Sequence, residues 1–582
     1  MATGIVLGIN ANLVKVKFKG AVRQNEIAYL QCLDGDLKIA TRLKSEVIRI
    51  KMDIAEVQVF EDTKGLKPND PVEFTGELLS VELGPGLLGQ VFDGLQNPLE
   101  LLAKETGFFT PRGFELPKLE KTKKWCYQPT SKLGDKLTAG EALGKVKENA
   151  FDHLIMIPFA LKAHWEIAWL AEAGDYDLTE VVAKIKNSEG MTKDLTLVTS
   201  WPVKWPIAAF KERLKPNTPL TTQIRLVDSL FPICKGGTYA IPGPFGAGKT
   251  VLQQLTSRFA QVDIVIIAAC GERANEVVET IKEFPKLIDP QTGKSLMERT
   301  IIICNTSSMP VAARESSVYT AVTLAEYYRQ MGLDVLLLAD STSRWAQALR
   351  ERSGRLEEIP GEEAFPAYLE SVIASFYERA GLVELKNGKQ GSVTIGGTVS
   401  PAGGNFEEPV TKATLKVVGA FHALSRERSD ARKFPAIHPL ESWTKYQGQL
   451  SKKQRDQAIG LLFRSSEIEQ MMKVVGEEGT TLEDFWIYLK GELFDQIFVQ
   501  QNAFDPVDTA SPEVRQKYLF DLLTKVIACD FRVKDKEAAR KIIQQIRQSL
   551  IDFNAIPWEE DQKISEQAEK IKGLLYKKEE AP

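Results

Sequence analysis

Eight consecutive residues, Gly243, Pro244, Phe245, Gly246, Ala247, Gly248, Lys249 and Thr250, carry the strongest chemical signal in this sequence. Their G-x-x-x-x-G-K-[ST] spacing lets the glycines curl the backbone until successive N–H groups point at phosphate oxygens. A helix opening behind the loop adds the positive end of its dipole. In that arrangement Lys249 reaches the β- and γ-phosphates of a nucleotide, and the Thr250 hydroxyl ligates Mg²⁺. Mg²⁺ needs a second, carboxylate anchor, normally an acidic residue that closes a buried apolar strand. The run Leu333-Asp-Val-Leu-Leu-Leu-Ala-Asp340 supplies one in Asp340, which would hold the ion through water. An aspartate before Ser341, Thr342 and Ser343 is often only a helix cap, and the phosphate loop is what favours the metal reading.

Hydrolysis of a bound nucleotide also needs a carboxylate for the attacking water and a cation for the charge on the transferred phosphoryl group. The apolar run Ile264 to Ala269 leads into Cys270-Gly-Glu-Arg273. Glu272 and Arg273 therefore sit at the carboxyl end of a strand, where ligands bind in parallel sheets. A Glu-Arg pair that opens a helix is more often a surface pair complementing the dipole. Beside a phosphate loop, Glu272 becomes the candidate for water activation and Arg273 the candidate for phosphate contact.

These groups need a parallel α/β sheet to hold them, and residues 200–438 have its pattern. Apolar strands are expected at Tyr239 to Ile241, Ile264 to Ala269, Ile301 to Cys304 and Val335 to Ala339, alternating with helices. One helix should bury Val251, Leu255 and Phe259, and another should span Ala313 to Gln330. Before this region, Val14, Val16 and Phe18 interleave with lysines, and Ile48, Ile50 and Met52 with polar residues. That alternation predicts a small β-barrel over 1–72. Residues 111–199 read as a β-rich insertion, with short runs at Leu154 to Pro158 and Leu195 to Val198, and with His153 and His164 as packing residues. Residues 439–582 turn helical. A stripe of Leu482, Phe485, Leu489 and Leu493 opens with a capping box from Thr480 to Glu483, and Ser511 caps a further helix whose first turn holds Pro512.

Composition narrows the class of protein. At 582 residues the chain holds several domains. The balance of 74 basic to 78 acidic residues gives no general attraction to nucleic acid or anionic lipid. No apolar run reaches the ~18 residues that a membrane span needs. The opening Met-Ala-Thr-Gly-Ile-Val lacks the regions of a signal peptide. Six cysteines, far apart at 32, 126, 234, 270, 304 and 529, read as reduced and packed thiols of a cytosolic protein, and the scattered histidines show no zinc spacing.

Several longer strings match a known family. They are Leu83-Gly-Pro-Gly-Leu-Leu, Val91-Phe-Asp-Gly-Leu-Gln, the Gly243 to Thr250 loop, Cys270-Gly-Glu-Arg and Asn305-Thr-Ser-Ser-Met-Pro-Val-Ala-Ala-Arg-Glu-Ser. Ala339-Asp-Ser-Thr-Ser-Arg-Trp-Ala-Gln, Pro360-Gly-Glu-Glu-Ala-Phe-Pro and Ser400-Pro-Ala-Gly-Gly-Asn-Phe-Glu-Glu-Pro follow in order. Over nearly its whole length the chain resembles the catalytic A subunits of V-type and A-type rotary ATPases, in the form found in prokaryotes. The resemblance implies an N-terminal β-barrel, a RecA-like nucleotide domain over 73–110 and 200–438, a bulge insertion and a C-terminal helical domain. It implies an ion-translocating ATPase or ATP synthase that uses ATP, ADP and Mg²⁺. Three such chains would alternate with three B subunits, which supply an arginine finger in trans. Central shaft, peripheral stalk and a membrane sector would complete the complex at the cytoplasmic face of the cell membrane. Phe434 and Phe504 would pack on the adenine ring.

Three positions depart from the family pattern. Ala247 stands where eukaryotic relatives carry a redox-sensitive cysteine, His438-Pro439 where Asn-Trp is usual, and Ala274 where many relatives have glycine. Two other readings compete with the catalytic one. A nucleotide-binding assembly subunit without turnover would lack Glu272. A RecA-like hexameric nucleic-acid motor would carry a basic surface.

Overall fold

The lysine-interleaved run at the amino end forms a strand, Leu13–Lys19, that buries Val14 and Val16 and turns Lys15, Lys17 and Lys19 to solvent. In the computed structural model, which describes residues 2–33, 39–107, 111–307, 309–529 and 533–576, this strand belongs to a closed six-stranded antiparallel barrel. Its neighbours in order are Ile54–Val59, Ile39–Lys51, Glu26–Leu33 and Pro71–Leu78, and Thr3–Asn10 closes the ring. Val14, Val16, Leu30, Val47, Val57 and Phe74 fill the interior. The last strand runs past the boundary expected at 72, because Phe74 points into that core. Met52 leaves the expected alternation: it lies in a turn with φ of 54° and is 98% exposed. Ser308, from the Asn305 to Ser316 string, lies outside the described residues.

The insertion folds as two four-stranded antiparallel sheets. One orders Lys136–Leu137, Trp165–Leu170, Ala183–Lys186 and Thr192–Leu195, and the other Phe151–Met156, Ala142–Glu148, Trp125–Pro129 and Gly174–Tyr176. The two runs read from sequence are displaced by about three residues, because their last residues leave the ladders. His153 is buried, as a packing residue should be, and it has a partner that the spacing did not suggest. Its Nδ1 lies 2.6 Å from Glu148 Oε2 and its Nε2 lies 2.8 Å from Tyr327 Oη. Burial raises the Glu148 carboxyl, but the imidazole and the N–H groups of Gly86 and Leu88 outweigh it and hold the group below its ordinary value. His164 is exposed instead of packed, because Trp165 takes the inward position. Cys126 is likewise exposed, on the outer side of its strand.

The chain divides into two compact units, comprising the described residues of 1–215, 262–399 and 407–417 in one and of 216–261, 400–406 and 418–582 in the other. The first holds a parallel sheet in the order Gln390–Val399, Asp334–Asp340, Ile264–Glu272, Thr300–Thr306 and Val91–Phe92. These near-continuous apolar runs are buried on both faces, as parallel strands covered by helices require. The helix Val311–Arg329 is buried almost throughout. Gly94 lies so close to it that a Cβ would meet the Asn305 side chain and the Ala313 carbonyl, which is the physical reason for glycine in Val91-Phe-Asp-Gly.

In the second unit the strand Thr238–Pro242 pairs in parallel with Ala420–Phe421, which is antiparallel to Trp443–Thr444. Strand structure thus continues beyond the expected helical boundary at 439, because Trp443 stacks on Phe421. The helices Lys452–Val475, Leu482–Phe494, Glu513–Ala528, Lys536–Asn554 and Asp561–Tyr576 follow. Two expected caps shift by one residue. Thr481, not Thr480, caps the helix at Leu482 by accepting from Asp484 N–H, and Pro512 rather than Ser511 is the N-cap before Glu513.

Candidate active site

The buried strand Thr238–Pro242 delivers the chain to Gly243, where a Cβ would lie 2.7 Å from Leu424 Cβ. Only glycine lets the loop leave the strand at that angle. Gly246 and Gly248 hold φ of +79° and +84°, the left-handed region that L side chains adopt at a cost. Ser429 Oγ donates to Gly246 O at 3.0 Å and tethers the turn. Gly248 is the N-cap of the helix Lys249–Phe259, with no side-chain cap and no acidic residue in the first turn. The amino end of this helix therefore keeps its positive character for an anion. Lys249 Nζ donates to Gly243 O at 2.7 Å and Pro244 O at 3.1 Å, folding back over the loop it serves. Thr250 sits half-buried in the first turn, Ala247 is buried, and Phe245 is largely exposed. The helix buries Leu252, Thr256 and Phe259, whereas Val251, expected in the core stripe, is 41% exposed. Its position so near the loop turns it outward.

In the same unit Phe434 and Phe504 line one cavity of about 440 Å³, together with Gln500, Gln501 and Asn502. Phe504 projects from its loop almost fully exposed. Asp495 holds the approach to Phe434 through Arg428 Nη1 at 2.7 Å and Lys433 Nζ at 2.9 Å. These two cations outweigh the burial of Asp495 and keep its carboxyl below the ordinary range.

The other unit carries the acidic groups. The strand Ile264–Glu272 ends with an irregularity between Cys270 and Glu272, where Gly271 takes φ of +83°. Glu272 is half-buried at the strand end, its carbonyl accepting from Ser307 N–H at 3.0 Å. Arg273 is exposed and forms the N-cap of Ala274–Glu283. Asp340 closes the adjacent strand in register with Ala269, and its Oδ1 accepts from Thr398 Oγ1 at 2.6 Å. Both carboxylates act on the Cys270 thiol, which burial, with help from Asp340 and Glu272, pushes up to about 12. Glu272, Arg273 and Asp340 thus gather at the carboxyl ends of neighbouring strands. Thr398 was not anticipated; a threonine near the carboxyl end of the buried strand Gln390–Val399 was its only signal. Thr250 in one unit and Asp340 in the other each carry a hard oxygen of the kind Mg²⁺ takes, and the N–H-rich helix start suits phosphate.

A strand that opens through G-x-x-x-x-G-K-T into an uncapped helix defines a P-loop nucleotide-binding protein. The nucleotide-binding domain of the ATP synthase alpha/beta family matches residues 223–444, and the beta-barrel domain of that family matches 6–76. The ATP synthase alpha/beta subunit barrel-sandwich domain matches 116–204, and the C-terminal domain of V and A type ATP synthase matches 446–542. The V-type ATP synthase alpha chain of Treponema denticola is 61% identical over 558 residues, 96% of this chain and 94% of that one. That of Borreliella burgdorferi is 61% identical, covering 95% of each chain, and alpha chain 1 of Treponema pallidum is 57% identical, covering 97% and 95%. The chain belongs to the family of V-type ATP synthase alpha chains. The fold is similar to the assembled ATPase EscN from the type III secretion system of enteropathogenic E. coli, at 20% identity and a TM-score of 0.63, over 90% of this chain and all of that one.

Proposed function

We propose that this chain is the catalytic subunit of a V/A-type rotary ATPase, hydrolysing or making ATP in a membrane-associated, multi-subunit complex. The observation that carries the reading is the Lys249–Thr250 loop running into an uncapped helix start, in a chain whose alpha-chain relatives match almost end to end. Among the described residues no helix is long and apolar enough to cross a membrane.

In this mechanism the loop amides and Lys249 bind the phosphates, and Phe434 and Phe504 hold the base. Glu272 accepts a hydrogen bond from the attacking water and orients it. The water forms a new bond to the γ-phosphorus as the bond to the ADP oxygen breaks, and Arg273 stabilises phosphoryl charge. Thr250 and Asp340 would hold Mg²⁺, which supplies charge neutralisation between the phosphates. B subunits alternate with this chain and contribute an arginine finger, while shaft and stalk subunits couple turnover to proton or sodium transport. The domain limits read from sequence assign the phosphate, metal and water-activating tasks to residues 73–110 and 200–438, with the insertion over 111–199 between, and put Phe504 in the helical domain over 439–582.

The test is ATP turnover and ADP retention by the purified complex carrying Glu272→Gln. Turnover should fall by roughly 10²–10⁴-fold, the range of general acid–base contributions, while ADP still binds. Unchanged turnover would move the active sites to another chain.

A further inference from the structure

Phe504 is 94% exposed, so packing cannot fix where its ring stands. Its backbone can. Phe504 N–H donates to Asn502 Oδ1 at 3.1 Å, Asn502 N–H donates to Asp508 Oδ2 at 2.7 Å, and Asp508 Oδ1 is paired with Arg225 Nη1. Arg225 is fully buried and grips the near side of the same loop as well. Its Nε donates to Phe498 O at 3.2 Å and its Nη2 donates to Gln500 O. Its backbone N–H donates to Gln501 Oε1 at 2.7 Å, and Gln501 N–H donates to Phe434 O at 2.7 Å. One guanidinium thus joins both ends of the loop 500–508, and its own backbone leads on to the second aromatic. Three donors in a planar fork can serve two carbonyls and a carboxylate at once, which a lysine ammonium on a flexible stem cannot do.

We infer that Arg225 is a positioning residue for nucleotide-base recognition: held by Asp508, it pre-forms the loop that presents Phe504 opposite Phe434. This assignment rests on the base-pocket reading proposed above. A pre-formed loop spares the nucleotide the entropy of ordering it, so the gain falls on the base and not on the phosphates.

The experiment measures binding of ADP and of inorganic pyrophosphate, which has no base, to the complex carrying Arg225→Lys, Phe504→Ala or both. Arg225→Lys should weaken ADP about tenfold and leave pyrophosphate within twofold. The double variant should bind ADP no worse than Phe504→Ala alone, because both changes act through one contact. Asp508→Asn, which keeps an acceptor for Asn502 N–H, is the second variant and should behave like Arg225→Lys. Equal loss of ADP and pyrophosphate, or additive losses in the double variant, would overturn the inference. If Phe504→Ala weakens ADP and Arg225→Lys does not, the inference fails alone. If Phe504→Ala leaves ADP binding intact, the base-pocket reading fails and takes the inference with it.

Discussion

Single residues in this chain divide by how their surroundings were specified. Lys249, Thr250 and Glu272 were legible as candidates because the patterns that nominate them are local in sequence. Arg225 and Asp508 were not, since 283 residues separate them and neither sits in a local pattern. His422 was equally silent. It is buried, with Nε2 donating to Phe231 O at 2.9 Å, and burial lowers its pKa from 6.5 to about 4 against the opposing pull of that carbonyl. The fold therefore holds a neutral imidazole. Its contribution is complete above pH 6.5 and is lost as pH falls toward 4, amounting to about 3 kcal/mol at 1.36 kcal/mol per pH unit. Denaturation of the wild type and of His422→Gln across that window should give a steeper loss for the wild type. Parallel curves would contradict the assignment.

At the level of elements, the buried parallel strands were easy to place, because an apolar run covered on both faces has little freedom to be anything else. Helix ends were harder. Thr480 and Thr481 are both able caps: Thr480 Oγ1 donates back to Gly476 O, whereas Thr481 Oγ1 stands where it accepts from Asp484 N–H at 3.1 Å and donates to the Asp484 carboxylate. Displaced strands in the insertion have a similar origin, since short amphipathic runs are ended by their partner strands and not by their own letters. The strand-to-loop junction at Gly243 makes a sharper prediction. Gly243→Ala should destabilise by about 1–3 kcal/mol, as overpacking does, and weaken ATP binding with it. Combining it with Leu424→Gly, which removes the clashing Cβ, should cost less than the sum of the two changes. Additive costs in thermal denaturation would point to strain elsewhere in the loop.

For the molecule as a whole, the sequence of domain types was readable, but the division into compact units was not, since each unit is assembled from three separated stretches. If the arginine finger comes from a neighbouring subunit, the isolated chain should bind ADP yet hydrolyse ATP about 10³–10⁵-fold more slowly than the complex. Turnover by the isolated chain at the rate of the complex would remove the need for a partner. The placement of Val91–Phe92 beside Ile302 and Ile303 has a different consequence, one that concerns synthesis. All six barrel strands have emerged by Leu78, whereas the edge of the parallel sheet must wait for about 210 further residues. At translation rates of roughly 5–20 residues per second, that segment spends on the order of 10–40 s without its partner. During that interval the nascent chain carries a finished barrel followed by an unfinished sheet edge, so the Val91–Phe92 segment is open to a chaperone long after the barrel has closed.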